Sequence, residues 1–123
     1  MSNKKWRILI VEDEEPLREV LALKLNKAGM ETEFASDGEQ ALYLLNKKTF
    51  DLILLDLMMP KKNGFMVLTD LRARNDKTPV IVLTILNQEE DIEKAKALGA
   101  KDYLIKHQTS INNIIEMINN NLK

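Results

Sequence analysis

Asp56 stands between two apolar runs, Leu52 to Leu55 before it and Leu57 to Met59 after it. A carboxylate embedded in such a stretch is costly unless it is paired. A second acidic group, Glu12 to Glu15, closes the apolar run Ile8 to Val11. If Glu12, Asp13 and Asp56 converge, their mutual repulsion calls for a cation, and magnesium is commonly held by one or two carboxylates plus waters and phosphate oxygens. Thr84 ends the run Val80 to Leu83 with a hydroxyl, and Lys106 follows Tyr103 to Ile105 with an ammonium. Together these two groups suit the oxygens of a phosphoryl group. The set suits phosphoryl transfer, with Asp56 as nucleophile and with a cation and Lys106 neutralising charge on the equatorial oxygens of an in-line transition state.

Plainer readings exist for each part. The acids from Glu12 to Glu15 also suit the N-terminus of a following helix, where each charge contributes about 0.3 to 1 kcal/mol, and for that segment alone the two readings balance. Threonine is an ordinary strand residue and lysine an ordinary surface terminator. Asp56 tips toward function because of its apolar flanks, and the set tips with it because all its members end apolar runs.

The elements that must position these groups follow from hydrophobic period. Five strand candidates, Arg7 to Val11, Glu31 to Ala35, Leu52 to Asp56, Val80 to Thr84 and Asp102 to Lys106, alternate with five amphipathic stretches. The first helix opens with Pro16, carries Leu17, Val20, Leu21 and Leu25 on one face and stops at Gly29. The last carries Ile111, Ile114, Ile115, Ile118 and Leu122 behind a Thr109 or Ser110 cap, and three more lie near Glu39 to Lys47, Phe65 to Arg74 and Gln88 to Leu98. Strict strand–helix alternation implies an α/β fold, a parallel sheet with right-handed crossovers and helices on both faces. Leu52 to Leu55 and Val80 to Leu83 are uninterruptedly apolar, as central strands are, whereas Glu31 to Ala35 alternates like an edge. The expected order is 2-1-3-4-5, the doubly wound flavodoxin-like (βα)5 arrangement, in which ligands sit beyond the carboxyl ends of the strands.

Composition bounds the rest. The 123 residues are 45% hydrophobic, enough for one continuous core, so a single domain over 1–123 with its core in 7–122 is expected. Eighteen basic against nineteen acidic side chains leave no field that draws the chain to nucleic acid or an anionic membrane. The absence of cysteine removes disulfides and thiolate chemistry and fits a reducing compartment. The polar stretch Met1 to Lys5 and the short apolar run after it match neither a signal nor a spanning segment, so a cytoplasmic protein is expected.

The residues quoted, with Leu55-Asp56-Leu57-Met58-Met59-Pro60, Gly64 beyond it, Pro79 to Thr84 and Gly99 to Lys106, closely resemble the receiver domain of bacterial response regulators from Ile8 to Leu122. The resemblance implies that Asp13, Asp56 and the backbone carbonyl of Met58 hold magnesium or manganese, with Glu12 acting through water. It implies that Asp56 takes a phosphoryl group from a sensor histidine kinase, a histidine phosphotransfer protein or a small donor such as acetyl phosphate. The domain assists that transfer without being a turnover enzyme. Thr84 and Tyr103 are then the switch residues that remodel the face of helix 4, strand 5 and helix 5; taken alone, Tyr103 reads as a half-buried strand aromatic. A monomer or a phosphorylation-dependent dimer is implied, with the output partner unassigned.

Two positions depart from the family pattern. His107 replaces the usual proline, so the bond after Lys106 is either trans with a rearranged loop or cis at a cost of about 2.5 to 4 kcal/mol. The lone histidine itself reads as a loop residue. Ile85 replaces a small residue after Thr84, which suggests narrowed access to the phosphoryl group and slower hydrolysis. The rival within the fold is a pseudo-receiver, an interaction module uncoupled from phosphorylation. An aspartyl-nucleophile phosphatase would need an acid where Met58 stands, and a flavin-binding domain would not place Glu12 to Glu15 where phosphate must sit.

Overall fold

Branched aliphatic runs become strands and the amphipathic stretches between them become helices, in the order β1 (Arg7–Val11), α1 (Glu15–Lys27), β2 (Glu31–Ala35), α2 (Gly38–Lys47), β3 (Leu52–Leu55), α3 (Gly64–Ala73), β4 (Val80–Thr84), α4 (Glu89–Ala97), β5 (Asp102–Ile105), a 3-10 turn (Lys106–Gln108) and α5 (Ile111–Asn121). The computed structural model describes residues 5–122; Met1 to Lys4, the start of the polar N-terminal stretch, and Lys123 lie outside the described residues. All strands are parallel, in the order β2-β1-β3-β4-β5, as expected for the doubly wound flavodoxin-like fold. Asp56 and Lys106, expected as the last residues of their strands, lie one residue beyond them.

Alternation along the strands divides the core in two. Ile8, Ile10, Leu52, Leu54, Ile81 and Leu83 pack against Leu21 and Leu25 of α1 and Ile114 and Ile118 of α5. Leu9, Val11, Ile53, Leu55, Val80 and Val82 pack on the other face against α2, α3 and α4, through residues such as Ala41, Val67, Leu68 and Ala95. The caps follow local chemistry. Ser110 accepts from the Asn113 N–H at 3.1 Å, which settles the choice between Thr109 and Ser110, while Asp37 and Asn63 cap α2 and α3 in the same way. Gly29, at φ 90°, lets the Met30 N–H return to the Leu25 carbonyl at 3.0 Å and so ends α1. No helix among the described residues is long and apolar enough to cross a membrane.

The turn from α3 into β4 depends on Asp76. Its Oδ1 accepts from the Thr78 N–H at 2.9 Å and the Thr78 hydroxyl at 2.6 Å, presetting the chain for Pro79. Burial opposes the charge on Asp76, but the two Thr78 hydrogen bonds and the nearby Arg74 and Arg72 outweigh it and hold the pKa below the ordinary value. Asp76→Ala is expected to lower the unfolding free energy by about 1 to 2 kcal/mol at neutral pH, read by urea denaturation. Because the folded pKa lies below the unfolded one, this contribution is present above the unfolded value of about 3.9 and is lost as pH falls through the folded value. The gap between parent and variant should therefore close in acid.

Candidate functional site

Strand register brings the acids together before side chains are considered. Val11 of β1 pairs with Leu55 of β3, and the Asp56 N–H donates to the Val11 carbonyl at 3.0 Å, so Glu12 and Asp56 leave the sheet side by side. A carboxylate oxygen from each of Glu12, Asp13 and Asp56 lies within 4.8 Å of the others. Glu12 and Asp56 are 2% and 3% exposed, while Asp13 is open to solvent. Asp56 Oδ1 accepts from the Met58 N–H at 3.1 Å, and Asp13 and Met58 both line a groove of about 540 Å³ whose walls are Leu57, Met59, Pro60 and Phe65. The close packing of this loop explains Gly64: its N–H donates to the Leu57 carbonyl at 3.0 Å, and a Cβ there would lie 2.7 Å from the Leu57 Cα.

Lys106 arrives from β5, across β4, and its Nζ lies 3.0 Å from Asp56 Oδ2, 3.0 Å from Glu12 Oε2 and 2.6 Å from Glu14 Oε2. Burial by itself would lower the Lys106 pKa, but the three carboxylates outweigh it and hold the ammonium above the ordinary lysine value. Glu12 moves toward neutrality. Burial pushes its carboxyl up to about 7, with the Asp56 charge adding to the rise and hydrogen bonds from Lys106 and the Glu14 N–H opposing it. No peptide bond among the described residues is cis, so Lys106–His107 is trans, and the chain enters a 3-10 turn in which the Thr109 N–H meets the Lys106 carbonyl. The loop without proline thus still delivers the lysine to the acids.

Thr84 is fully buried but is not drawn into this cluster; its hydroxyl oxygen accepts from the Leu86 N–H at 3.4 Å. Tyr103, half-buried against the α2–α3–α4 face of the core, donates its hydroxyl to the Leu86 carbonyl at 2.8 Å. Leu86, two residues downstream of Thr84, is therefore shared by both expected switch residues, through its N–H and its carbonyl.

A family model described as the response regulator receiver domain matches residues 8–119. The chain belongs to the receiver domain family. It is 41% identical over 112 residues to the Regulator of RpoS of Escherichia coli, an alignment covering 91% of this chain and 33% of that protein, so the receiver spans about a third of the relative's length. The receiver domain of the Francisella response regulator 1452 superposes with a TM-score of 0.88 at 35% identity, covering 96% of this chain and 97% of that one. The response regulator TrrA of Thermotoga maritima, solved in complex with Mg(2+)-BeF, superposes with a TM-score of 0.83 at 30% identity, covering 95% and 99% of the two chains.

Three contacts of the site were not anticipated from sequence. Glu14 bonds Lys106 instead of capping α1, whose N-terminus has no side-chain cap. Arg18 Nη1 donates to the Glu12 carbonyl at 3.1 Å while its guanidinium stacks 4.1 Å from the Phe34 ring centroid. Its position one helical turn after Glu14 is a signal, because a cation there can turn back over an acidic helix start. The Leu86 peptide carries no sequence signal, since every non-proline residue offers the same two backbone groups.

Tyr103 offers a spectroscopic check on this surround. Burial pushes its phenol up to about 12, with the charges of Asp91 and Asp56 adding to the rise. In a Tyr43→Phe background, which leaves Tyr103 as the sole tyrosine, phenolate absorbance should develop with a midpoint of about 12, and Asp91→Asn should bring that midpoint down.

Proposed function

We propose that this receiver is the phosphoryl-accepting switch of a two-component phosphorelay, with Asp56 as the acceptor. The observation that carries the reading is a nearly fully buried Asp56 held 3.0 Å from a lysine ammonium, with Glu12 and Asp13 oxygens within 4.8 Å. A carboxylate so placed is both a nucleophile and one member of an all-oxygen donor set.

One ammonium faces the carboxylates of Glu12, Asp13, Glu14 and Asp56, a surplus of negative charge that suits a hard divalent cation. Asp13, Asp56 and the Met58 carbonyl would hold magnesium or manganese there, with Glu12 acting through water, and the cation would neutralise phosphoryl oxygens during transfer. The complex of TrrA with Mg(2+)-BeF supports this assignment. In the transfer an Asp56 oxygen bonds to phosphorus as the bond from phosphorus to a donor nitrogen or acyl oxygen breaks, and the leaving group departs with its electron pair. Lys106 stabilises the developing charge and Met58 N–H orients Asp56 through Oδ1. The donor is a sensor histidine kinase or a histidine phosphotransfer protein, and the setting is cytoplasmic. The receiver assists its own modification and is not a turnover enzyme on an external substrate. Thr84 and Tyr103 pass the change to the α4–β5–α5 face, from which output leaves by protein contact or through a further domain.

The test is intact mass during incubation with acetyl phosphate. One phosphoryl adduct should form with magnesium, and none should form without it or in Asp56→Asn. An unmodified protein under these conditions, and with a cognate kinase, would make the chain a pseudo-receiver. Ile85 is 53% exposed at the end of β4, next to Thr84. If it restricts water, Ile85→Ala should lose its phosphoryl group several-fold faster in the same mass assay; equal lifetimes would remove Ile85 from the mechanism.

A further inference from the structure

The ammonium of Lys106 has three protons, and three carboxylates accept them: Glu12, Glu14 and Asp56. No proton is left for another acceptor. A phosphoryl group on Asp56 converts its carboxylate into an acyl phosphate, so the proton that Asp56 accepts passes to the phosphoryl group, and the ammonium must shift outward from Asp56 to follow it. The two remaining carboxylates are not equally able to let it go. The Glu12 side chain is 3% exposed and would be left as a poorly solvated charge. The Glu14 side chain is 59% exposed and passes to water at little cost, although its bond to Lys106 is the shortest of the three, at 2.6 Å against 3.0 Å for both others.

The local structure shows what that bond displaces. Glu14 is the N-cap residue of α1, with extended backbone at φ −79° and ψ 105°, a position whose side chain ordinarily accepts from the first-turn N–H groups. Here it makes no such bond and reaches instead to the end of β5. Its own N–H donates to Glu12 Oε2 at 3.1 Å, so Glu14 holds the buried acid with its backbone and the half-buried base with its side chain.

We propose that Glu14 is a positioning residue that competes with the phosphoryl group for Lys106, holding the ammonium in the unphosphorylated state and releasing it when Asp56 is modified. This rests on Asp56 being the phosphoryl acceptor. Glu14 thereby sets how readily the receiver passes into its phosphorylated form, and it does so through one hydrogen bond instead of through the general field of the acidic cluster.

Beryllium fluoride, a mimic of the phosphoryl group, separates these cases when titrated calorimetrically in saturating magnesium. Glu14→Gln should bind it about two- to fivefold more tightly than the parent, the span of an exposed ion pair. Glu14→Asp keeps the charge, shortens the reach and supplies a good cap for α1, so it should show a gain of similar size. Glu15→Gln removes the adjacent exposed acid, which has no bond to Lys106, and should bind as the parent does. Equal or weaker binding by Glu14→Gln overturns the inference. A gain in Glu14→Gln matched by Glu15→Gln and absent from Glu14→Asp also overturns it, because it assigns the effect to net charge. If the parent binds no beryllium fluoride and forms no acetyl-phosphate adduct, the acceptor reading falls and this inference with it. If the parent does both and the Glu14 variants show no gain, this inference falls alone.

Discussion

A largely buried ammonium between two buried carboxylates is the interaction on which the carboxyl end of the sheet depends. Glu12 and Asp56 are forced into proximity by the pairing of β1 with β3, and the apolar residues that make those strands central also exclude the water that would have screened them. Each such charge costs several kcal/mol to bury unless it is compensated. Compensation comes from β5, two strands away from β3, through the long stem of Lys106. The sheet order thus also sets the electrostatics of the site. With β4 between β3 and β5, the lysine approaches from the side opposite β1 and meets both acids together.

Much of this was legible in the sequence, for physical reasons that differ from element to element. β3 and β4 could be read as central because Leu52 to Leu55 and Val80 to Leu83 are apolar without interruption, and Asp56 stood out for the same reason: one carboxylate interrupts an otherwise continuous run. β2 could be read as an edge because it alternates, with Phe34 outward and Ala35 inward. The end of α1 was legible in Gly29, because a positive φ costs glycine nothing. Glu14 was harder to place. In the sequence it is one of four consecutive acids, all equally suited to a helix N-terminus, and its actual partner is 92 residues away. The bond after Lys106 was similarly undecided, because either isomer was compatible with His107; the trans form follows once residues 106–108 enter a 3-10 turn.

The remaining part of the site, Thr84 with Tyr103, is organised by backbone groups that a sequence does not display. A fully buried hydroxyl needs a partner. Thr84 finds one in the Leu86 N–H, but at 3.4 Å this lies beyond the ordinary range of such bonds and is correspondingly weak. The Leu86 carbonyl, by contrast, is firmly engaged by Tyr103 at 2.8 Å. The two bonds use opposite ends of one residue's peptide groups, so the connection from β4 to α4 has a loose attachment at the acidic site and a tight one on the outer face.

That asymmetry gives the acceptor reading of Asp56 a physical route outward. A phosphoryl group shifts an equilibrium between two packings only by interacting differently with them. The groups best placed to supply the difference are those whose present bonds are cheapest to give up. Thr84 is held by one long bond, and Lys106 is held in part by an acid that water readily receives. Neither release strands a charge in the core. Drawing Thr84 toward the acids withdraws it from the Leu86 N–H and leaves that residue attached chiefly through Tyr103, whose ring packs at the margin of the α2–α3–α4 core. Movement of Leu86 then requires movement of Tyr103, because the 2.8 Å bond between them is stronger than the one being lost. In the acceptor reading, Leu86, whose N–H meets Thr84 and whose carbonyl meets Tyr103, is the residue at which loss of the first contact reaches the second.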